Sequence, residues 1–329
     1  MSDQQIQKVK VRHLARVGLW STDVVTQARF YCQVLGLDLR ATSEIMTNHN
    51  SEIGEANMFL GLGEEQYGLG LYNDTRPTTG SGRNPVRRYT SLHHLTFEVS
   101  TAAELAALAA RLNLSDVEFT LGTSNDDLDM SDSLWFNDPD GNSIEIAVAS
   151  DDLLLPSATI TSPRGRRNVL RPSGVQNIAL YTPRLDMMVE FYTEALGFDI
   201  SDWLLRERAW LRCNHNHHTL LFIQGEVGVD HVSYNVANGV ELLRWADYLS
   251  KHQVPILWGP GRHGAGNDLF LRFSDPEGIH IELSAEMQQY YDEDVTIPPR
   301  LWHTRVMALN LWGAMPSWIR EEAKSSLSS

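Results

Sequence analysis

The feature that most constrains this chain is that short blocks of sequence occur twice, in the same order. Phe30-Tyr31 running into Leu35-Gly36-Leu37-Asp38 returns as Phe191-Tyr192 running into Leu196-Gly197-Phe198-Asp199. His94-Leu-Thr-Phe-Glu-Val99 returns as His231-Val-Ser-Tyr-Asn-Val236. Asp138-Pro-Asp-Gly141 ahead of Ile144-Glu145 returns as Asp275-Pro-Glu-Gly278 ahead of Ile281-Glu282. Any single block arises by chance, but the ordered set marks an internal duplication. At 329 residues the chain has room for two modules, each with its own core.

The spacing within each copy predicts a strand, a helix and then several strands. Val175 to Tyr181 alternates, with Asn177, Ala179 and Tyr181 on one face and Ile178 and Leu180 on the other. Leu185 to Leu196 has helical spacing and ends at Gly197, a residue suited to a helix C-terminus. His231 to Val236 reads as a strand. Asp-Pro-Glu-Gly has the chemistry of a type I turn and joins Leu269–Phe273 to Ile279–Leu283 as a hairpin, so that His280 and Glu282 share a face. The expectation is an α+β protein of tandem βαβββ modules, each a curved mixed sheet with a polar concave face and one helix behind it. We place the N-terminal module at 9–150, a linker at 151–173, the C-terminal module at 174–286 and a tail at 287–329. The tryptophans near proline in Pro298-Pro-Arg-Leu-Trp302 and Trp312-Gly-Ala-Met-Pro-Ser-Trp318 predict that the tail docks on the body, since such rings seek burial.

Composition narrows the partners. A net charge of -15, with no basic stripe, argues against nucleic acid and against an anionic membrane surface. The N-terminus has no apolar signal-like run, and no stretch reaches membrane-span length. Cys32 and Cys213 fall in different copies, which argues against a disulfide framework and for a reducing, cytoplasmic setting. A homo-oligomer is the weaker expectation drawn from the outer faces and the tail. Gly259-Pro-Gly261 and Gly264 mimic a dinucleotide fingerprint, but a strand follows where that motif needs a helix, and we reject it.

Taken together, the FY…LG motif, the His-bearing strand and the Asp-Pro-[Asp/Glu]-Gly hairpin with its later glutamate resemble the vicinal oxygen chelate superfamily. Two modules in one chain resemble its type I extradiol ring-cleavage dioxygenases. Asn214-His-Asn-His-His-Thr-Leu-Leu-Phe222 is similar to that group's segment bearing an acid/base histidine. Gly259-Pro-Gly-Arg-His-Gly-Ala-Gly-Asn267 is similar to its loop bearing a further pocket histidine. The resemblance covers nearly the whole chain from about residue 9. It implies metal ligands at His231 and Glu282, an acid/base group at His218, and at His263 a residue that hydrogen-bonds bound oxygen or shapes the pocket. It also implies Fe(II) or Mn(II) as the metal and a small aromatic diol as substrate.

The chain departs from the pattern twice. The first ligand position, a histidine in that group, is Asn177, and a tyrosine position three residues before the Asp-Pro turn is Arg272. Ring cleavage of this kind uses two imidazoles and one carboxylate on one face of the metal. Asn177 is a poorer donor to a first-row metal than imidazole, so weaker binding, a harder metal or no metal is expected. His280 either supplies a replacement imidazole or lines the pocket. Arg272 cannot act as an acid, and either grips an anionic substrate group or pairs with an acidic neighbour. In the first copy Arg16 stands at the position of Asn177, beside His94 and Glu145, and reads as a salt bridge in a retired site; His93 is expected on the opposite side of its strand. The leading reading is an extradiol-dioxygenase-like enzyme with catalytic His218, His263 and Arg272. The alternatives are a metal-independent isomerase, cyclase, lyase or hydrolase on the same scaffold, and a protein that only binds an aromatic metabolite.

Overall fold

The architecture was read from a computed structural model, described here for residues 10–43, 56–62, 68–74, 91–123, 132–149, 170–291 and 297–319. Most of the expected linker (151–169), parts of the segment 45–85 and the end of the tail lie outside these residues.

The first half builds β1 (His13–Ser21), α1 (Val24–Phe30, continued by a π-helical turn to Leu35), β2 (Asp38–Ser43), β3 (Asn57–Gly61) and β4 (Leu69–Asn73). It continues with β5 (Leu92–Val99), α2 (Ala102–Leu114), β6 (Phe119–Thr123), β7 (Asp132–Asn137) and β8 (Ser143–Val148). The second half repeats the order with β9 (Gly174–Thr182), α3 (Leu185–Glu194), β10 (Asp199–Leu204), β11 (Arg208–Arg212) and β12 (Leu220–Gln224). There follow β13 (Gly228–Asn235), α4 (Gly239–Lys251), β14 (Trp258–Arg262), β15 (Leu269–Ser274) and β16 (His280–Ala285). The tail adds β17 (Arg300–Trp302) and α5 (Arg305–Leu309). The result is two mixed sheets, ordered β2-β3-β4-β1-β5-β8-β7-β6 and β14-β15-β16-β13-β9-β12-β11-β10-β17.

Each half therefore contains the βαβββ unit twice, with two helices rather than the one expected. The second helix of each half announces itself by its cap. Thr101 accepts from the Glu104 N–H and Asn238 from the Glu241 N–H, while each glutamate reaches back to a backbone N–H just ahead of the helix. First and second units meet at the sheet centre, where β1 pairs antiparallel with β5 and β9 with β13.

Helices and one face of each sheet share a continuous apolar core that includes Tyr31, Phe97, Leu108, Ile178, Tyr192, Phe222 and Trp245. The duplicated blocks bind the halves to each other reciprocally. Tyr31 Oη donates to Asp275 of the second hairpin turn, and Tyr192 Oη to Asp138 of the first, both at 3.1 Å. The other face of the second sheet departs from the expected polar surface. Leu204, Trp210, Leu221, Ile223, Trp258 and Phe270 make a separate apolar cluster there, capped by Ala308, Leu309 and Ile319 of the tail. Strands such as Leu220–Gln224 are apolar on both faces because the tail, and not water, covers the second one. Trp302 and Trp318 join this packing, but Trp312 remains 60% exposed, with the Arg262 guanidinium over its ring.

Candidate active site

The central strands of the second sheet bring the predicted residues to one face. Asn177 on β9 faces Ser233 across the β9–β13 ladder, Ser233 faces Glu282 on β16, and Glu282 faces Arg272 on β15. His231 stands on β13, with Nε2 3.7 Å from Glu282 Oε1. His231, Glu282, Arg272 and Asn177 are all buried. Among the described residues neither Oδ1 nor Nδ2 of Asn177 has a hydrogen-bond partner. A buried amide left in that state costs about 1–3 kcal/mol.

Arg272 is the hub of this face. Its Nε donates to Glu282 Oε2 at 2.5 Å, its Nη1 to Asp230 Oδ2 at 3.0 Å, and its Nη2 lies 3.4 Å from His231 Nε2. The ring of Trp258 lies 5.1 Å from the guanidinium carbon. Burial pushes the Glu282 and Asp230 carboxyls up, but Arg272, aided by the neighbouring histidines, outweighs it and holds both well below the usual range. Burial also opposes the charge on Arg272, and the two carboxylates more than restore it.

Asp230 was not singled out in the sequence, because it precedes His231 and strand alternation would turn it away. The β9–β13 ladder skips it: Val229 faces Leu180 and His231 faces Ala179, so a bulge at Asp230 puts two consecutive side chains on one face. Asp230 thus takes a hydrogen bond from Tyr181 Oη at 2.6 Å and lies 2.6 Å from His231 Nδ1. Since a carboxylate only accepts, Nδ1 of His231 carries a proton. The first sheet skips His93 at the equivalent place, pairing Leu92 with Leu19 and His94 with Gly18. His93 is accordingly not on the opposite side of its strand. Its Nδ1 lies 2.7 Å from that of His94, and both rings contact Tyr72. Beside them Arg16 is buried over the Phe59 ring and Thr96 Oγ1 donates to Glu145. Burial, then His93, then the Arg16 charge hold His94 well below the ordinary histidine range.

Two further histidines reach the same cavity as His231. His218 enters from the turn before β12, with its basicity held well below normal by burial and by His217. His263 stacks on Phe270 at 3.8 Å between ring centroids. Its Nδ1 donates to the Leu309 carbonyl at 2.6 Å, which aims Nε2 at Glu282 Oε2, 3.4 Å away. Burial disfavours its charge, but Asp268 and Glu282 outweigh that and raise its pKa. His280 is buried beside the Trp318 ring, and its charge lowers the pKa of Asp230. His215 turns outward to the Tyr290 carbonyl. Among the described residues one trio of potential metal donors converges: His263, Asp268 and Glu282, with ligand atoms within 4.8 Å of one another. The Glu282 member is the carboxylate already paired with Arg272.

His218, His231, His263, Arg272 and Glu282 line a cavity of about 20 Å³, room for one water molecule, whereas Asn177 and Asp230 do not line it. Leu309 and Ile319 of the tail form part of its wall.

Residues 12–146 and 174–283 match the model of the Glyoxalase/Bleomycin resistance protein/Dioxygenase superfamily, and the chain belongs to that family. An iron-dependent extradiol dioxygenase of Rhodococcus jostii is 29% identical over 238 residues, 66% of this chain and 75% of that protein. Metapyrocatechase 2 of Cupriavidus necator is 29% identical over 168 residues, 47% of this chain and about half (52%) of the relative. Among solved structures, a Mn(II)-bound glyoxalase from Novosphingobium aromaticivorans superposes with a TM-score of 0.73 at 23% identity, covering 92% of this chain and 91% of that one. The fold is the two-module vicinal oxygen chelate fold, and the curated relatives are extradiol dioxygenases.

Proposed function

We propose that this chain is an enzyme of the extradiol-dioxygenase branch that acts on an oxygenated aromatic or enol-bearing ring by proton transfer. In this reading the Arg272 guanidinium stands where the family resemblance places a divalent metal. The observation that carries the reading is the contact of that guanidinium with Glu282, Asp230 and His231 together. Fe(II) or Mn(II) would need the Glu282 carboxylate and His231 Nε2, and Arg272 already lies against both. A second cation a few ångströms away in a buried site meets strong repulsion. Asn177 adds a weak carboxamide donor where an imidazole is expected. The donor set does not fit either metal.

The remaining chemistry belongs to the chain's own side chains. His218 takes a proton from a ring hydroxyl and later returns it, His263 serves as a second proton carrier, and Arg272 stabilises the oxyanion that forms in the cavity. A water-sized cavity cannot admit a six-membered ring, so the tail wall formed by Leu309 and Ile319 moves aside for entry.

The test is metal counting on protein purified without oxygen and offered Fe(II) and Mn(II), followed by catechols with and without oxygen. The expected outcome is far less than one metal per chain, no coloured ring-fission product, and oxygen-independent conversion of a ring substrate. One tightly held iron per chain with ring opening overturns the proposal in favour of the chemistry named for the relatives. Tight aromatic binding without conversion makes the protein a binder instead.

A further inference from the structure

His218 faces the cavity with only one of its nitrogens. Its Nδ1 lies 3.1 Å from Nδ1 of His217, so those two nitrogens share a single proton, one donating and the other accepting. His217 is fully buried, and its Nε2 lies 3.2 Å from Asp202 Oδ2. Asp202 is also fully buried. It accepts from Arg300 Nε at 2.8 Å and Nη2 at 3.0 Å, and from Trp302 Nε1 at 2.6 Å. Arg300 and Trp302 belong to the tail strand β17, which pairs in parallel with β10 beside Asp202.

We propose that Asp202, His217 and the tail residues Arg300 and Trp302 form a relay that positions His218 and sets which of its nitrogens presents a lone pair to the cavity. The inference rests on His218 being the proton carrier of the proposed function. The proton order follows from the last acceptor in the chain. Asp202 as a carboxylate can only accept, so His217 Nε2 carries a proton and its Nδ1 is bare. His218 Nδ1 then donates to it, and His218 Nε2 is left as the base. Arg300 Nη2 donates to Asp202 and also lies 3.1 Å from His217 Nε2; with the proton on His217 Nε2 that approach is a close contact and not a hydrogen bond, because a guanidinium has no acceptor. The junction is closed by backbone: Gly266, at φ +85°, lies so near that a Cβ there would stand 3.3 Å from His217 Nδ1 and 2.7 Å from Asp268 Oδ1. The Tyr290 ring stacks over His217, with the Arg212 guanidinium on Tyr290.

The relay gives a taken proton a favourable place to rest. As the ring O–H breaks, a new N–H forms at His218 Nε2, and the Nδ1 proton crosses to His217 Nδ1. His217 becomes an imidazolium beside Asp202, and His218 is again neutral but now presents Nε2–H as an acid. The positive charge thus sits away from Arg272, beside the Asp202 carboxylate, which it shares with the Arg300 guanidinium. Returning the proton reverses each transfer. Burial and the neighbouring ring disfavour charge on His218 itself, which agrees with this division of labour.

The test is nitrogen NMR on the full chain labelled in histidine. We expect a coupling across the Nδ1–Nδ1 hydrogen bond, a bare-nitrogen resonance for His218 Nε2 and an N–H resonance for His217 Nε2. Asp202→Asn should shift the shared proton onto His217 Nδ1 and move His218 Nε2 into the N–H range, with a drop in kcat of about tenfold or more at little change in KM. Trp302→Phe keeps the ring and removes one donor to Asp202, and should produce the same change in smaller proportion even if Asp202→Asn does not fold. A wild-type spectrum with no coupling, or with Nε2–H on His218, overturns the relay even if a ring is turned over. An intact coupling with no turnover of any ring leaves the relay standing and sinks the acid–base function instead.

Discussion

Both halves of the molecule bring an arginine to the face that carries a histidine and a glutamate, yet from different strands. Arg16 stands on β1 and Arg272 on β15, the latter directly across the ladder from Glu282. In the first sheet the residue across from Glu145 is Trp135, so the position equivalent to Arg272 carries no arginine there. Removing Arg272 should be costly because it leaves Asp230 and Glu282 buried without a cation. Arg272→Met is expected to lower unfolding free energy at pH 7 by about 3–5 kcal/mol, measured by denaturant titration. The pH sign follows from the depressed carboxyls. Their wild-type contribution is present above about pH 4 and is lost as pH falls through their lower folded values. The gap between wild type and variant should therefore narrow in acid. Asn177→His alone should not create a metal site while Arg272 stays. Asn177→His with Arg272→Tyr should bind Fe(II) near one per chain, and an equal gain in the single variant would mean that Arg272 is no obstacle.

At the level of elements, the bulges at His93 and Asp230 and the docked tail decide what the sheet face contains. A one-residue bulge converts an outward side chain into a member of the cluster, which is how Asp230 comes to hold both His231 and Arg272. The tail is held through backbone at Gly264. The N–H groups of Gly264 and Ala265 both donate to the Ala308 carbonyl, and a Cβ on Gly264 would fall 1.8 Å from Met307 O. Gly264→Ala should consequently lift α5 from the sheet. Hydrogen exchange in residues 300–319 is expected to accelerate by tenfold or more, an opening of about 1.4 kcal/mol or greater, while exchange in β13 and β16 stays slow. Unchanged tail protection would show that Gly264 does not govern docking.

For the whole molecule, the reciprocal Tyr31–Asp275 and Tyr192–Asp138 bonds join the halves and make their union pH-dependent. Burial raises both aspartates to about 6, despite the hydrogen bonds they accept. A carboxyl raised in the folded state contributes stability that is complete below about pH 4 and is lost as pH rises through about 6. The size is on the order of 3 kcal/mol for each group over the full range. Wild-type stability measured by denaturant should therefore gain between pH 7.5 and pH 5 from these two sites. Asp275→Asn should remove about half of that gain, and a pH profile identical to wild type would rule out Asp275 as its source.

The sequence alone determined the duplication, the position of the hairpin turns and the helix end at Gly197, and which residue types the site would contain. Those are local properties: a repeated motif, a Pro-Gly turn and an alternating strand are written in neighbouring residues. His231, Glu282, Arg272, His218 and His263 were picked out by the family resemblance of the motifs that carry them, and they do line one cavity. The second helix in each half was missed although the capping pairs Thr101–Glu104 and Asn238–Glu241 could have revealed it. Other features had no local signature. Asp230 depends on a bulge that only the pairing of β9 with β13 creates, and Asp202, which reaches His218 through His217, is held by residues 98 and 100 positions later in the chain. Whether Arg272 would grip a ligand or a neighbouring acid was likewise open, because the answer lies across ladders joining distant strands. Tertiary structure decided it, since a buried cation is stable only where the fold supplies its counter-charges.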